Sequence, residues 1–114
     1  MTAQHDKPWG NYNILFAGDD FQVKRVEISP GSRLSLQKHS KRAEKWIVVA
    51  GSGIATVGKK KIAVKRESVV QIAVNEVHRL HNTGKKPLVV IEVQYGDYLG
   101  EDDILRLEDD FGRV

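Results

Sequence analysis

An all-β fold, a sandwich or barrel, is what this 114-residue sequence predicts, and three observations carry it. Apolar residues recur in short runs, the runs are punctuated by Gly, Pro, Asn or charged clusters, and their spacing is that of many strands joined by tight turns. The length fits one domain over residues 1–114 with a single core. Hydrophobic residues at 40% and charged residues at 29% match ordinary globular usage, which excludes a disordered or fibrous chain.

Nine strands follow in order: Tyr12 to Phe16, Phe21 to Ile28, Arg33 to His39, Lys45 to Ala50, Gly53 to Val57, Lys61 to Val64, Ser68 to Ile72, Val77 to Asn82 and Leu88 to Tyr95. Pro30-Gly31 sets the turn before the third, Gly51-Ser52-Gly53 turns a hairpin, and Asn82-Thr83-Gly84 breaks the eighth before Pro87. Gly100 to Asp110 reads differently. Ile104 and Leu107 lie three apart behind an acidic first turn that complements a helix dipole, so a short C-terminal helical turn is expected there.

Composition also bounds the chemistry. Without cysteine there is no disulfide, thiolate metal site or cysteine nucleophile, and the chain suits a reducing cytosol. No apolar run approaches the roughly 20 residues that span a bilayer, and the opening residues lack a signal peptide's apolar stretch, so no membrane partner and a cytoplasmic location are expected. Between Asp97 and Val114 seven acids face only Arg106 and Arg113, a net charge of −5, which leaves +8 on residues 1–96. The positive residues are spread out, and the Lys59-Lys60-Lys61 run has no interleaved aromatics, so it reads as a solvated hairpin tip and no nucleic-acid partner is expected.

The segment from Pro30 to Trp46 is the most informative. Strand alternation puts Arg33, Ser35, Gln37 and His39 on one face and Leu34, Leu36 and Lys38 on the other. After a short turn, an antiparallel return brings Glu44 beside Gln37 and His39. Further on, His78, Leu80 and Asn82 share a face, opposite Arg79 and His81. Nitrogen and oxygen donors on the inward faces of a small barrel are what a divalent cation needs, although a single buried His is also commonly a hydrogen-bonded core residue.

These positions resemble the first cupin motif, with Gly31, Gln37, His39, Glu44 and Gly51 at its spacing and Gln37 where many cupins carry His. The second motif is represented by its end, His78 and Asn82, while Glu67, Ala73 and Asn75 stand where it has Gly, Pro and Gly. A longer resemblance runs over nearly the whole chain. Lys7-Pro8-Trp9-Gly10, Leu34-Ser35-Leu36-Gln37, Arg42-Ala43-Glu44, Trp46, His78-Arg79-Leu80, Ile91-Glu92-Val93-Gln94 and Tyr98-Leu99-Gly100-Glu101-Asp102-Asp103-Ile104 are similar to the type II mannose-6-phosphate isomerases, cupin domains that occur free-standing or at the C-terminus of bifunctional mannose-1-phosphate guanylyltransferases.

The resemblance implies a cupin β-barrel, also called a double-stranded β-helix or jelly roll, with a divalent metal (Zn, Mn, Co, Ni or Fe) held by Gln37, His39, Glu44 and His78. It implies a catalytic Arg42, a homodimer, and interconversion of mannose 6-phosphate and fructose 6-phosphate through a cis-enediolate. Lys45 stands where that family has His, but alternation puts it on the face opposite Glu44. For the sugar phosphate, Arg33, Arg79, Arg106 and Lys24 are the candidate binders beside Arg42. Glu92, set among apolar neighbours that would raise its pKa, is the candidate general base, with His81 or a metal-bound hydroxide as rivals. Trp9, Tyr12 and Trp46 are expected to close the barrel or a dimer interface. The alternatives are a metal- and sugar-phosphate-binding module without turnover, or another cupin reaction such as a small-molecule dioxygenase.

Overall fold

The computed structural model describes residues 3–114 and contains no helix among them. Strands β1 (Gln4–Lys7), β2 (Gly10–Ala17), β3 (Phe21–Ile28), β10 (Leu88–Tyr95), β5 (Ala43–Ala50) and β8 (Val69–Ile72) form one antiparallel sheet, in the order β1-β2-β3-β10-β5-β8. Strands β11 (Leu105–Glu108), β4 (Leu36–Lys38), β9 (His78–His81), β6 (Ser52–Val57) and β7 (Lys60–Lys65) form the second, in the order β11-β4-β9-β6-β7. The two sheets close over a core of Val26, Ile28, Trp46, Val48, Ala55, Val64, Val70, Ile72, Leu80, Leu88 and Val90, with Trp9 at its margin.

Alternation decides which side chains enter. Along β3 the buried positions are Gln22, Lys24, Val26 and Ile28, and on its partner β10 they include Leu88, Val90, Glu92 and Gln94. The register sets Glu92 opposite both Lys24 and Trp46, and Val90 opposite both Val26 and Val48. One end of the interior is therefore polar and the other aliphatic, written on the same faces of the same strands.

The predicted third strand is shorter than expected. Only Leu36–Lys38 keeps ladder pairing, while Arg33 makes an isolated bridge to His81. Upstream of Leu36 the Leu34 carbonyl accepts from Arg79 Nε at 2.9 Å, a side chain taking the acceptor that a strand neighbour would use. Leu34 also packs against the core instead of facing out with Leu36.

The C-terminal helical turn is replaced by β11. Asp103 caps no helix: its carboxylate accepts from the Ser40 and Lys41 backbone N–H groups at 2.9 and 3.0 Å, which ties the segment across the barrel mouth. Ile104 then points into the interior while Leu107 is exposed, so the spacing of three is that of an irregular strand, with a register shift between Arg106 and Glu108. Strand β1 was also not expected, because its Gln-His-Asp-Lys sequence is exposed throughout and carries no apolar signal.

Candidate metal centre

His39, just after β4, Glu44 at the start of β5 and His78 at the start of β9 converge at the polar end of the barrel, and each is nearly inaccessible to solvent. One ligand atom from each lies within 4.8 Å of the others. His39 Nε2 is 3.3 Å from one Glu44 oxygen and His78 Nε2 is 3.8 Å from the other. Gln37 is the direct cross-strand neighbour of His78 and lines the same cavity.

Backbone carbonyls orient both imidazoles. His39 Nδ1 donates to the Asp103 carbonyl at 2.7 Å and His78 Nδ1 to the Glu76 carbonyl at 2.8 Å, so each ring presents the lone pair of Nε2 to the cavity. His78 Nε2 is buried with no hydrogen-bond partner among the described residues. Burial foremost, and then the Arg42 charge, lowers the His39 pKa to about 4, and burial lowers that of His78. Both rings are neutral near pH 7, the form that binds metal.

Arg42 lies behind Glu44. Its Nε donates to Glu44 at 2.9 Å and its Nη2 to His39 Nε2 at 3.3 Å, while Nη1 is buried without a partner. Trp46 Nε1 donates to the other Glu44 oxygen at 3.3 Å. Gly96 lets the Arg42 backbone come close: a Cβ there would sit 2.2 Å from the Lys41 carbonyl oxygen and 3.1 Å from Arg42 Cα.

Glu92, on β10, lines the cavity, and burial, with the Glu44 carboxylate beside it, raises its pKa to about 8. His81, the rival base, is not among the cavity-lining residues; it sits on β9 with its backbone bridged to Arg33. Lys45 is on the outer face of β5, opposite Val93 and Gln71, and is not part of the cavity lining. Trp9, Tyr12 and Trp46 all line the interior.

The candidate phosphate-binding residues separate into two groups. Lys24 and Arg106 line the cavity, Lys24 paired with Glu101 and lying 4.5 Å over the Tyr12 ring. Arg33 and Arg79 lie outside it. Two parallel hydrogen bonds of 2.7 and 2.8 Å hold Arg33 on Asp110, and Arg79 is held by the Leu34 carbonyl and by Glu108. Sequence reasoning missed Lys7, Glu101 and Arg113 in the cavity lining, and Asp103 as the residue that orients His39. The run from Tyr98 to Ile104 was the signal for Glu101 and Asp103, and the run Lys7-Pro8-Trp9-Gly10 the signal for Lys7.

Compared with known proteins, residues 1–109 match the family model described as mannose-6-phosphate isomerase C-terminal. The chain belongs to that family. Within the mannose-6-phosphate isomerase C-terminal family, the alginate biosynthesis protein AlgA of Pseudomonas aeruginosa is 51% identical over 108 residues, covering 95% of this chain and 22% of the relative. This chain thus spans little more than a fifth of that relative's length. Among solved structures, the capsular polysaccharide assembling protein CapF of Staphylococcus aureus superposes with a TM-score of 0.83 at 22% identity, covering 96% of this chain and 35% of that one. The cupin domain of Cnp3 from Schizosaccharomyces pombe superposes at 0.70 with 20% identity, covering 76% and 64%. The fold is a cupin β-barrel. No helix among the described residues is long and apolar enough to cross a membrane.

Proposed function

We propose that this domain is a metal-dependent aldose-ketose isomerase that interconverts mannose 6-phosphate and fructose 6-phosphate. The observation that carries the reading is the paired orientation of His39 and His78 around Glu44, with one imidazole Nε2 buried and left without a partner. A buried, unpartnered acceptor is costly, and a cation satisfies it. Imidazole and oxygen donors fit the divalent ions Zn, Mn, Co, Ni and Fe, with Gln37, His39, Glu44 and His78 as the residues that would hold one.

When bound, such an ion supplies Lewis-acid stabilisation of negative charge on substrate oxygen. The chain supplies the remaining functions. Isomerisation moves a proton between C1 and C2 of the open-chain sugar, and Glu92 is positioned to take it from one carbon and return it to the other. Its pKa near 8 makes its ionised form a stronger base than a solvated carboxylate, and that form grows as pH rises towards 8. The unpartnered Arg42 Nη1 is free to donate to a developing oxyanion while Nε keeps Glu44 in place. To receive an ion, His39 Nε2 must release its 3.3 Å contact with Arg42 Nη2, which frees a second donor of the same guanidinium.

A coupled assay with mannose 6-phosphate tests the reading. Turnover is expected to vanish on chelation and return with one of the named ions, and absence of turnover with every one of them overturns it. Sugar-phosphate binding without turnover would leave the binding-module alternative, and oxygen uptake would favour the dioxygenase. The homodimer belongs to the same proposal: β1 and β8 end the six-stranded sheet with edges that a second copy would cover, and light scattering decides it.

A further inference from the structure

The cavity lining holds five cationic side chains, three of which already have carboxylate partners. Lys24 pairs with Glu101, Arg42 with Glu44 and Arg113 with Asp109. Lys7 and Arg106 have no carboxylate partner among the described residues. Lys7 is exposed on the edge strand β1, whereas Arg106 has its Nε buried and without a partner. An arginine half-sunk in a polar cavity without an anion is unusual, because each buried N–H must find an acceptor.

The sheet register shows where Arg106 points. Its Cα lies directly opposite Gln37 across the β11–β4 pair, and Gln37 lies directly opposite His78 across the β4–β9 pair. Residues directly opposite one another in antiparallel strands put their side chains on the same face. Arg106, Gln37 and His78 therefore form one inward row, with the Cα atoms of Arg106 and His78 two strand spacings, roughly 10 Å, apart. That separation suits an extended six-carbon sugar with its carbonyl at the His39–Glu44–His78 cluster and its far end at Arg106. Ile104, two residues earlier on the same segment, also lines the cavity, as alternation requires.

We propose that Arg106 is the anion-binding residue of this cavity and seats the terminal phosphate of the sugar, with Lys7 adding a second positive charge from β1, the end strand of the other sheet. This rests on the isomerase reading for the identity of the sugar, but the anion site itself is independent of turnover. The two forks not used by the phosphate, Arg33 and Arg79, bind Asp110 and Glu108, the acids that flank the C-terminal segment and hold Arg106 in register.

The test uses the metal-loaded full chain and mannitol 6-phosphate, which keeps the phosphate and hydroxyl groups but has no carbonyl to isomerise. Calorimetry is expected to show Arg106→Gln weakening this probe about ten- to a hundredfold, the usual loss of charge-assisted hydrogen bonds. Arg106→Lys should recover part of the loss, and Arg66→Gln, which removes an exposed cation, should leave affinity unchanged. Free mannitol should bind wild type and Arg106→Gln equally weakly. Equal affinity of wild type and Arg106→Gln for the phosphate probe, or an equal loss for mannitol, overturns the proposal. Should Arg106→Gln fail to fold by thermal melt, the Arg106→Lys comparison between mannitol 6-phosphate and mannitol decides alone. Loss of probe binding in a chain that shows no isomerase turnover would sink the reaction and keep the anion site. Turnover with an unchanged KM in Arg106→Gln would do the reverse.

Discussion

The two ends of the barrel interior are built from the same strands and do opposite things. On β3, β5, β9 and β10 one inward face runs from a polar residue to an apolar one two positions along: Lys24 to Val26, Glu44 to Trp46, His78 to Leu80, Glu92 to Val90. The apolar end is satisfied by packing. The polar end is not, for His78 Nε2, Arg42 Nη1 and Gln94 Nε2 are buried without hydrogen-bond partners among the described residues. Backbone regularity is therefore compatible with both roles, and the unsatisfied groups, not the fold, separate chemistry from scaffold.

That comparison breaks most sharply at two neighbours on β9. His78→Ala is expected to reduce metal affinity and turnover by more than the roughly 10–100-fold that outer-shell partners cost, with little loss of melting temperature; metal titration and the isomerase assay check it. Leu80→Ala, two residues on, should cost about 2–5 kcal/mol in denaturant unfolding while metal affinity stays within about twofold. If both variants lost both properties, the two ends would not be separable.

Gly96→Ala should fall between them. The added methyl group must push the Lys41–Arg42 backbone away, so turnover is expected to drop about tenfold, with metal affinity falling less, because none of the four residues that would hold the ion is among those displaced directly.

The pH dependence of the metal-free protein sharpens the contrast further. Below about 8 the native state keeps a proton on Glu92 that the unfolded chain releases above 4.5, so this group makes stability fall as pH rises across that window. His39, at about 4 when folded, and His78 shed protons that the unfolded chain binds below 6.5, so they make stability fall as pH drops below 6.5. Below 6.5 His39 offsets Glu92 and His78 acts in the same direction as His39, whereas above 6.5 Glu92 alone lowers stability as pH rises. Glu92→Gln should flatten the limb above 6.5 by at most about 1.4 kcal/mol per pH unit and steepen the limb between 4.5 and 6.5; urea unfolding from pH 5 to 8 after chelation measures both. The smallest effect is expected for Lys45→His. Because Lys45 faces outward, turnover should change by no more than about twofold.

Elements whose inward residues alternate along their whole length were legible from sequence. β3 and β10 have the predicted ends, Phe21–Ile28 and Leu88–Tyr95, since both are central strands with period-two patterning. β1 and β11 were not, because an exposed edge and an irregular strand over a polar mouth carry no apolar signature. At the centre, the His39, Glu44 and His78 faces followed from alternation. The partners of the arginines did not, because Arg33 and Asp110 are 77 positions apart and sequence says nothing of which acid each cation meets. Arg106 and Arg33 look alike as sequence; only the register tells them apart.

The strap formed by residues 101–113 has a consequence for how the molecule comes into being. It supplies Arg106, Ile104 and the carbonyl that orients His39, and it ties back to Lys24, Arg33 and Ser40, between 63 and 77 residues earlier in the chain. Such distant closures are slow to form, and during synthesis these residues emerge from the ribosome after the barrel strands. A nascent chain can therefore bury Trp46 well before it has a working pocket, and the reactive end of the barrel is finished last.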